Sequence, residues 1–358
     1  MRFDYDTSYA DPQRLLRYRS QWIAYGTLVL ALIAAPWVLP PYYVGELNYL
    51  FIVSIASLAL MILTGYTGQV SLGHAAFMAI GAYAHAWFLN NGLGFIASIL
   101  CASALTAAVG LVIGLPAIRV SGLYLAMITL AGALVTEQII GRWKDVTGGY
   151  SGLSVPAPIV FGFDFGSLRA FYFLCLFVLV LVLSGLLNLM RGRTGRAFVG
   201  VRDSEAAAYT LGIWVGGHKV LAFVISAFVT GIAGALLAHH LQFLTPDGFG
   251  LTLSMELVLM VVIGGLGSLR GAVFGAVLIG LLPTLISKIK PALPASIATQ
   301  FGLETFVFGL ILALFVMFEP AGLNGRWIKL KVLLQNFPLY RRNTFRRGKV
   351  YMHSERYR

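Results

Sequence analysis

Apolar residues in this chain fall in long, nearly unbroken runs, unlike the alternation of a half-buried strand or the one-sided stripe of a surface helix. The runs occupy about 22–39, 48–64, 74–90, 94–115, 121–140, 168–190, 218–239, 251–267, 271–287 and 301–318. Each holds about 17–23 residues, which as helix covers roughly the thickness of a bilayer's hydrocarbon core. Lipid offers no hydrogen-bond partners to the backbone, so runs this long and this continuously apolar are helices and not barrel strands. The pattern predicts an all-α polytopic membrane protein with about ten transmembrane helices. Arg14, Arg17 and Arg19 precede the first run as they would in a signal peptide, but that run is long enough to span and ends in Pro40, Pro41 and Tyr42 instead of small residues. It reads as the first transmembrane helix.

Composition agrees: 58% of residues are hydrophobic and 11% charged. The net charge of +12 suggests nucleic acid until it is located, for ten of the 26 Lys and Arg follow Glu319. Basic residues beside a membrane span are the usual cytoplasmic anchor. With ten spans both termini share one side, and a cytoplasmic N-terminus places 21 of the 26 basic residues inside, leaving Arg142, Lys144, Arg169, Lys288 and Lys290 outside. This divides the chain into a cytoplasmic arm (1–20), a transmembrane region (21–320) and a basic cytoplasmic tail (321–358). Within the transmembrane region lie a periplasmic loop (141–167) and a cytoplasmic loop (191–217). The periplasmic loop, with Thr147, Gly148, Gly149, Gly152, Pro156 and Pro158, has turn chemistry and reads equally as a connector or as a contact for an external partner. Cys101 and Cys175 both sit in apolar runs, as small buried apolar residues would, and give neither a disulfide framework nor a metal spacing.

The stretch Arg191–Lys219 is the long polar interruption of the middle. Within it a short Ala-rich helix is predicted over 204–211, with Asp203 as N-cap and Gly212 just past the end, where a positive φ is needed. Such an element reads as a solvated loop or as a docking helix for a partner. Two further interruptions carry glycine in place of charge. One holds Gly65, Gly68, Gln69, Ser71, Gly73 and His74; the other holds Gly264, Gly265, Gly267, Ser268, Arg270 and Gly271. Irregular backbone at a bilayer survives only where protein or a water-filled path surrounds it. Both are therefore candidates for a translocation path or its gate, against the plainer reading of tight helical hairpins. Gln69, Ser71 and His74 are polar groups carried by the first. The shared steps Ser71-Leu72-Gly73 and Ser268-Leu269-Arg270-Gly271 hint at internal duplication. Stripes such as Gly267, Gly271 and Gly275, or Ser226, Thr230 and Gly234, permit close helix packing.

An ion-coupled carrier would bury paired carboxylates or histidines at mid-membrane. Here ionisable groups within or near spans are few, among them His74, His85, Glu137, Glu256 and Glu304, and these glutamates fall near predicted exterior ends. No catalytic constellation, metal motif or phosphate-binding loop occurs; Gly348-Lys349 is followed by Val350 and lacks a preceding glycine-rich loop. Neither catalytic nor metal-ligating residues are predicted.

The run from Gly65 through Gln69, Ser71, Leu72, Gly73, His74 and Phe77 to Gly81-Ala82-Tyr83 resembles the LivM-type permeases of branched-chain amino acid ABC importers. So do Ser121-Gly122-Leu123-Tyr124-Leu125-Ala126, Thr147-Gly148-Gly149, Val262 to Ser268, and Gly195-Arg196-Ala197 followed by 203–213. The resemblance covers about 45–320. It implies an ABC importer permease in the bacterial inner membrane, paired with a LivH-type permease, two cytoplasmic ATPases and a periplasmic substrate-binding protein. ATP would then be used by partner subunits, with no cofactor bound by this chain, and nucleic acid would have no part. Coupling to the ATPases would run through Arg196, Glu205, Ala206, Ala207 and Gly212, although four residues here separate Ala207 from Gly212 where the general motif has three. The substrate path would involve Gln69, Ser71, His74, Gly264, Gly265 and Gly267. Cargo would be leucine, isoleucine or valine, or in relatives of the same machine urea, short amides or small aromatic acids.

Overall fold

A computed structural model describes residues 19–160, 163–289 and 322–336, with isolated positions between 306 and 317. Nearly all of the 1–20 arm, Glu304 with most of the tenth run, and the tail beyond 336 lie outside the described residues. The other nine runs are helices: α1 (Arg19–Val38), α2 (Pro41–Leu60), α3 (His74–Asn90), α4 (Phe95–Gly114), α5 (Leu123–Arg142), and, after the short α6 (Lys144–Thr147), α7 (Leu168–Arg191). Two short helices follow, α8 (Arg193–Asp203) and α9 (Glu205–Thr210), then α10 (Val215–Leu241), α11 (Leu251–Gly264), α12 (Leu269–Ile289) and α13 (Gly322–Asn336). Among the described residues seven helices, taken with the helical turns that extend them, are long and apolar enough to cross a membrane. The chain is a multi-pass helical membrane protein.

Several boundaries differ from those predicted. Helix α2 begins at Pro41 and not near 48, because proline at the first helical position needs no N–H partner and Val44 turns inward, 2% exposed. Helix α11 stops at Gly264, where Gly265 takes φ +105°. Cys175 is buried, whereas Cys101, expected inside, is exposed on the surface of α4.

The core is built on α2 and α10. Helix α10 packs against α3, α4 and α2, and small residues set how closely. A side chain on Gly81 would meet the backbone of Gly231, and one on Gly234 would meet that of Met78. On the α4 side, Gly110 and Gly114 lie against Ala227 and Phe223. Between apolar helices in lipid the attraction is dispersion, so backbone proximity is what glycine contributes here.

Hydrogen bonds cross-link the same helices. Ser57 donates to the Ala272 carbonyl (3.1 Å), joining α2 to α12, and Tyr172 of α7 donates to the Leu32 carbonyl of α1 (2.8 Å). His85 and His239, both buried, face each other through their Nε2 atoms at 2.8 Å, with Ser98 of α4 on the Nδ1 of His85, also at 2.8 Å.

Polar connectors gather at two ends. At one, Arg202 of α8 meets the two glycine-rich breaks, and Ile118 packs on Gly216. At the other, β1 (Leu153–Ser154) pairs antiparallel with β4 (Phe243–Leu244), beside a small ribbon of β2 (Ile159–Val160) and β3 (Phe163–Asp164). The described residues of 141–167 thus have local structure of their own, anchored by Thr147, whose one hydroxyl hydrogen is shared between the Ile140 and Trp143 carbonyls, at 2.6 and 2.7 Å.

Substitution separates close packing from mere helix propensity. Gly234→Val is expected to destabilise the protein by about 1–3 kcal/mol, because it forces α10 off α3. Gly185→Val, on a helix face with nothing within 4 Å, is expected to be nearly neutral. Thermal unfolding of the two variants in detergent checks this; equal melting temperatures would remove the packing argument.

Candidate functional site

The first glycine-rich break starts before its glycines. After α2 the chain widens into a π-helical turn, Met61–Tyr66, and then loses regular structure until α3. The unpaired backbone groups are taken up by side chains. Thr67 donates to the Leu63 carbonyl (2.6 Å) and Thr64 to that of Gln69 (3.1 Å). Thr129 of α5 accepts from the Leu72 amide (3.0 Å), and Ser254 of α11 accepts from that of Ala75 (3.1 Å). Gly68 has φ +72°, a conformation that strains any L side chain.

Gln69, Ser71 and His74 are all buried here. The Gln69 amide donates to Thr67 (2.9 Å) and to the Lys219 carbonyl of α10 (3.3 Å), while its Oε1 has no partner. Ser226 of α10 gives its one hydroxyl hydrogen to the Ala59 carbonyl (2.7 Å), so it accepts from His74 Nε2 (2.8 Å). His74 Nδ1 is then the acceptor for Ser71 (3.1 Å), a tautomer assigned from the network. The three residues are brought to one region but knit α2, α3 and α10 together; none is open to solvent.

The second break is a tight turn. Gly264 and Gly271 touch backbone to backbone, Gly275 meets Met260 in the same way, and Gly267 has φ +82°. Ser268 accepts from the Gly271 amide (3.1 Å), as Ser71 accepts from the Gly73 amide (3.3 Å). The two breaks adjoin. A Cβ on Gly65 would lie 2.8 Å from the Gly267 nitrogen. Gly264 and Gly265 lie behind this contact, Gly265 against the Gly322 backbone at the start of α13.

The polar loop is more structured than predicted. Helix α8 buries Gly195, Ala197, Phe198 and Val201, a stripe at helical spacing interrupted by arginines. The N-cap of α9 is Ser204 and not Asp203: the serine backbone is extended (φ −163°) and its hydroxyl accepts from the Ala207 amide (3.2 Å). Asp203 is the last residue of α8, its carboxylate held by Arg202 (2.9 Å). Gly212 takes φ +78° with open space around it. Arg196 donates to the nearby Arg191 carbonyl (3.1 Å). Glu205 pairs with Lys219 (2.7 Å), whose side chain is 5% exposed.

Ala206 and Ala207 are exposed, and beside them Tyr209, Leu211 and Trp214 stand 76%, 79% and 77% exposed. Three large apolar side chains bared on a polar loop form the surface feature that residue-by-residue reading missed, although their cluster, Tyr209, Leu211 and Trp214, was visible in the sequence. Arg202 was missed too. Its Nη1 donates to the Gly65 carbonyl (3.0 Å), a contact between residues 137 apart that no local signal announces. Among the described residues there is no group of three or more His, Cys, Asp or Glu placed to hold a metal ion.

A family model described as branched-chain amino acid transport system / permease component matches residues 42–317. The high-affinity branched-chain amino acid transport system permease protein LivM of Escherichia coli strain K12 is 33% identical over 278 residues, covering 70% of this chain and 65% of the relative. The autoinducer 2 import system permease protein LsrC of Enterobacter sp. strain 638 is 33% identical over 243 residues, 63% of each chain. LivH of Salmonella typhimurium is 27% identical over 304 residues, 76% of this chain and 93% of the relative. The match therefore spans just under two thirds of the LivM relatives' length. No solved structure matches.

The Glu205–Lys219 pair makes an asymmetric prediction. Glu205→Gln strands a buried ammonium and is expected to cost about 1–3 kcal/mol, whereas Lys219→Met leaves a half-exposed carboxylate that water can solvate and is expected to cost less. Melting curves of the two variants check the order.

Proposed function

The chain belongs to the branched-chain amino acid transport permease family, its residues 42–317 matching the family model, and from that premise we propose that it is the membrane-spanning subunit of an ATP-driven importer. The observation that carries this reading is the set of exposed apolar side chains Tyr209, Leu211 and Trp214, running from the end of a capped helix to the start of α10 in the chain's main polar loop. Exposed aromatic and aliphatic groups at one solvent-facing site are the usual anchors of a protein interface. An ATPase subunit seated there would press on Ala206, Ala207 and Gly212 around this set, with Glu205 and Arg196 holding the loop in shape.

In this reading the chain has ten spans and both termini in the cytoplasm of a bacterial cell, with the exposed apolar set facing the cytoplasm. It pairs with a LivH-type permease, two ATPases and a periplasmic binding protein. Nucleotide chemistry belongs to the ATPases. The cargo is a branched-chain amino acid, passing between the two glycine-rich breaks, with Gln69, Ser71, His74, Gly264, Gly265 and Gly267 forming the path or its gate. A relative named for autoinducer 2 import favours a second reading in which the same frame carries another small polar cargo, such as urea, a short amide or an aromatic acid.

Two measurements test this. Proteoliposomes containing the chain with its partner permease, ATPases and binding protein are expected to accumulate labelled leucine only with ATP; uptake driven by a proton or sodium gradient without the ATPases would overturn the proposal. In the same complex Trp214→Ala combined with Leu211→Ala is expected to weaken ATPase association by about 2 kcal/mol, roughly 30-fold, without lowering the melting temperature. Undiminished co-purification of the ATPases at low concentration would place docking elsewhere.

A further inference from the structure

Arg202 stands where three features meet: the last turn of α8, the end of the π-helical turn, and the α11–α12 turn. Its Nε and Nη2 hold the Asp203 carboxylate at 3.0 and 2.9 Å. Its Nη1 donates to the Gly65 carbonyl at 3.0 Å and lies 2.8 Å from where a Cβ on Gly267 would be. Its Cγ lies 3.2 Å from the same point on Gly68. Both glycines have positive φ, +72° and +82°, so the chain bares its backbone to the arginine at two places, Gly68 along its stem and Gly267 at its guanidinium.

The arginine is anchored from behind. Phe198 and Val201 of α8 are buried, and the Phe198 ring meets His218 of α10 edge-on, so α8 moves as a unit with Arg202 at its tip. A second link runs in parallel: Glu205 of α9 holds Lys219, and the Lys219 carbonyl accepts from Gln69 in the first break. A displacement of the α8–α9 loop therefore acts on the first break through two bonded links, and on the second through the packing of Arg202 against Gly267.

We propose that Arg202 is a positioning residue that latches the two glycine-rich breaks together and transmits movement of the α8–α9 loop to them. With the latch engaged, Gly65 sits against Gly267 and the polar groups behind it, Gln69 and His74, are sealed, 3% and 0% exposed. When α8 shifts, the Gly65 carbonyl loses its donor, and the π-helical turn and the α11–α12 turn separate as two rigid pieces. Interfaces of this kind switch between discrete packings. Arginine is needed because one side chain must serve Asp203 and Gly65 together; the single ammonium of lysine lacks the forked geometry. The proposal rests on the permease reading, in which a partner moves this loop.

Two measurements on Arg202→Gln test it. In the reconstituted complex, uptake per ATP hydrolysed is expected to fall about tenfold or more, with subunits co-purifying in the parent's ratio and Arg202→Lys intermediate. Unchanged uptake per ATP overturns the latch; loss of the ATPases on purification also overturns it, making Arg202 a docking residue. The second measurement needs neither cargo nor ATPases. In inside-out membrane vesicles the full chain carrying Gln69→Cys is treated with a membrane-impermeant maleimide, the parent with Cys101 and Cys175 serving as background. Arg202→Gln is expected to speed labelling several-fold, and an equal rate overturns the latch. Should Arg202→Gln fail to fold, Arg202→Lys is read by the same two outcomes. If the unmodified complex shows no ATP-driven uptake, the permease reading fails while the thiol measurement still decides the latch.

Discussion

A backbone amide or carbonyl inside a bilayer has no water to turn to, so each departure from regular helix must be repaired by the protein itself. The rest of this structure depends on that constraint. It explains why the breaks at 61–73 and 265–268 are not flexible gaps but densely bonded places. Thr64, Thr67, Thr129 and Ser254 exist there as donors or acceptors for specific stray backbone groups. The Gly65 carbonyl, at the edge of the π-helical turn, draws its donor from outside the membrane helices altogether, from Arg202.

The same constraint governs packing. With no water to exclude, helices α10, α3 and α4 gain from touching only if they touch closely, and Gly81, Gly231 and Gly234 let them do so. Close contact also brings the hydroxyl of Ser226 within reach of both Ala59 and His74. Small residues and buried hydrogen bonds are thus parts of one arrangement.

At the loop end, polar and apolar forces trade places. Helix α8 is held to the bundle by Phe198 and Val201 and α9 by the buried head of Lys219, while the large apolar side chains of Tyr209, Leu211 and Trp214 face outward. A loop stabilised for its own sake would be expected to turn these inward. Their exposure, with the bond from Arg202 to Gly65, gives the loop one bare apolar face and one face tied to the membrane helices.

The sequence by itself determined the class of the molecule, the places of nine helices among the described residues, the polar loop between α7 and α10, and the two glycine-rich breaks, because runs of apolar residues and clusters of glycine are local signals whose physics is local. It also located the short helix ending before Gly212, and misplaced its cap by one residue because Asp203 and Ser204 are equally good caps until Arg202 takes the aspartate. What only the tertiary structure decided is which residues meet across the chain. That Gly65 touches Gly267, that Arg202 closes on both, that Lys219 answers Glu205 while its carbonyl takes Gln69, and that His74 bonds Ser226 all depend on how α2, α10 and α11 pack. Helix packing is set by the summed fit of many small contacts, and no short stretch of sequence contains that sum.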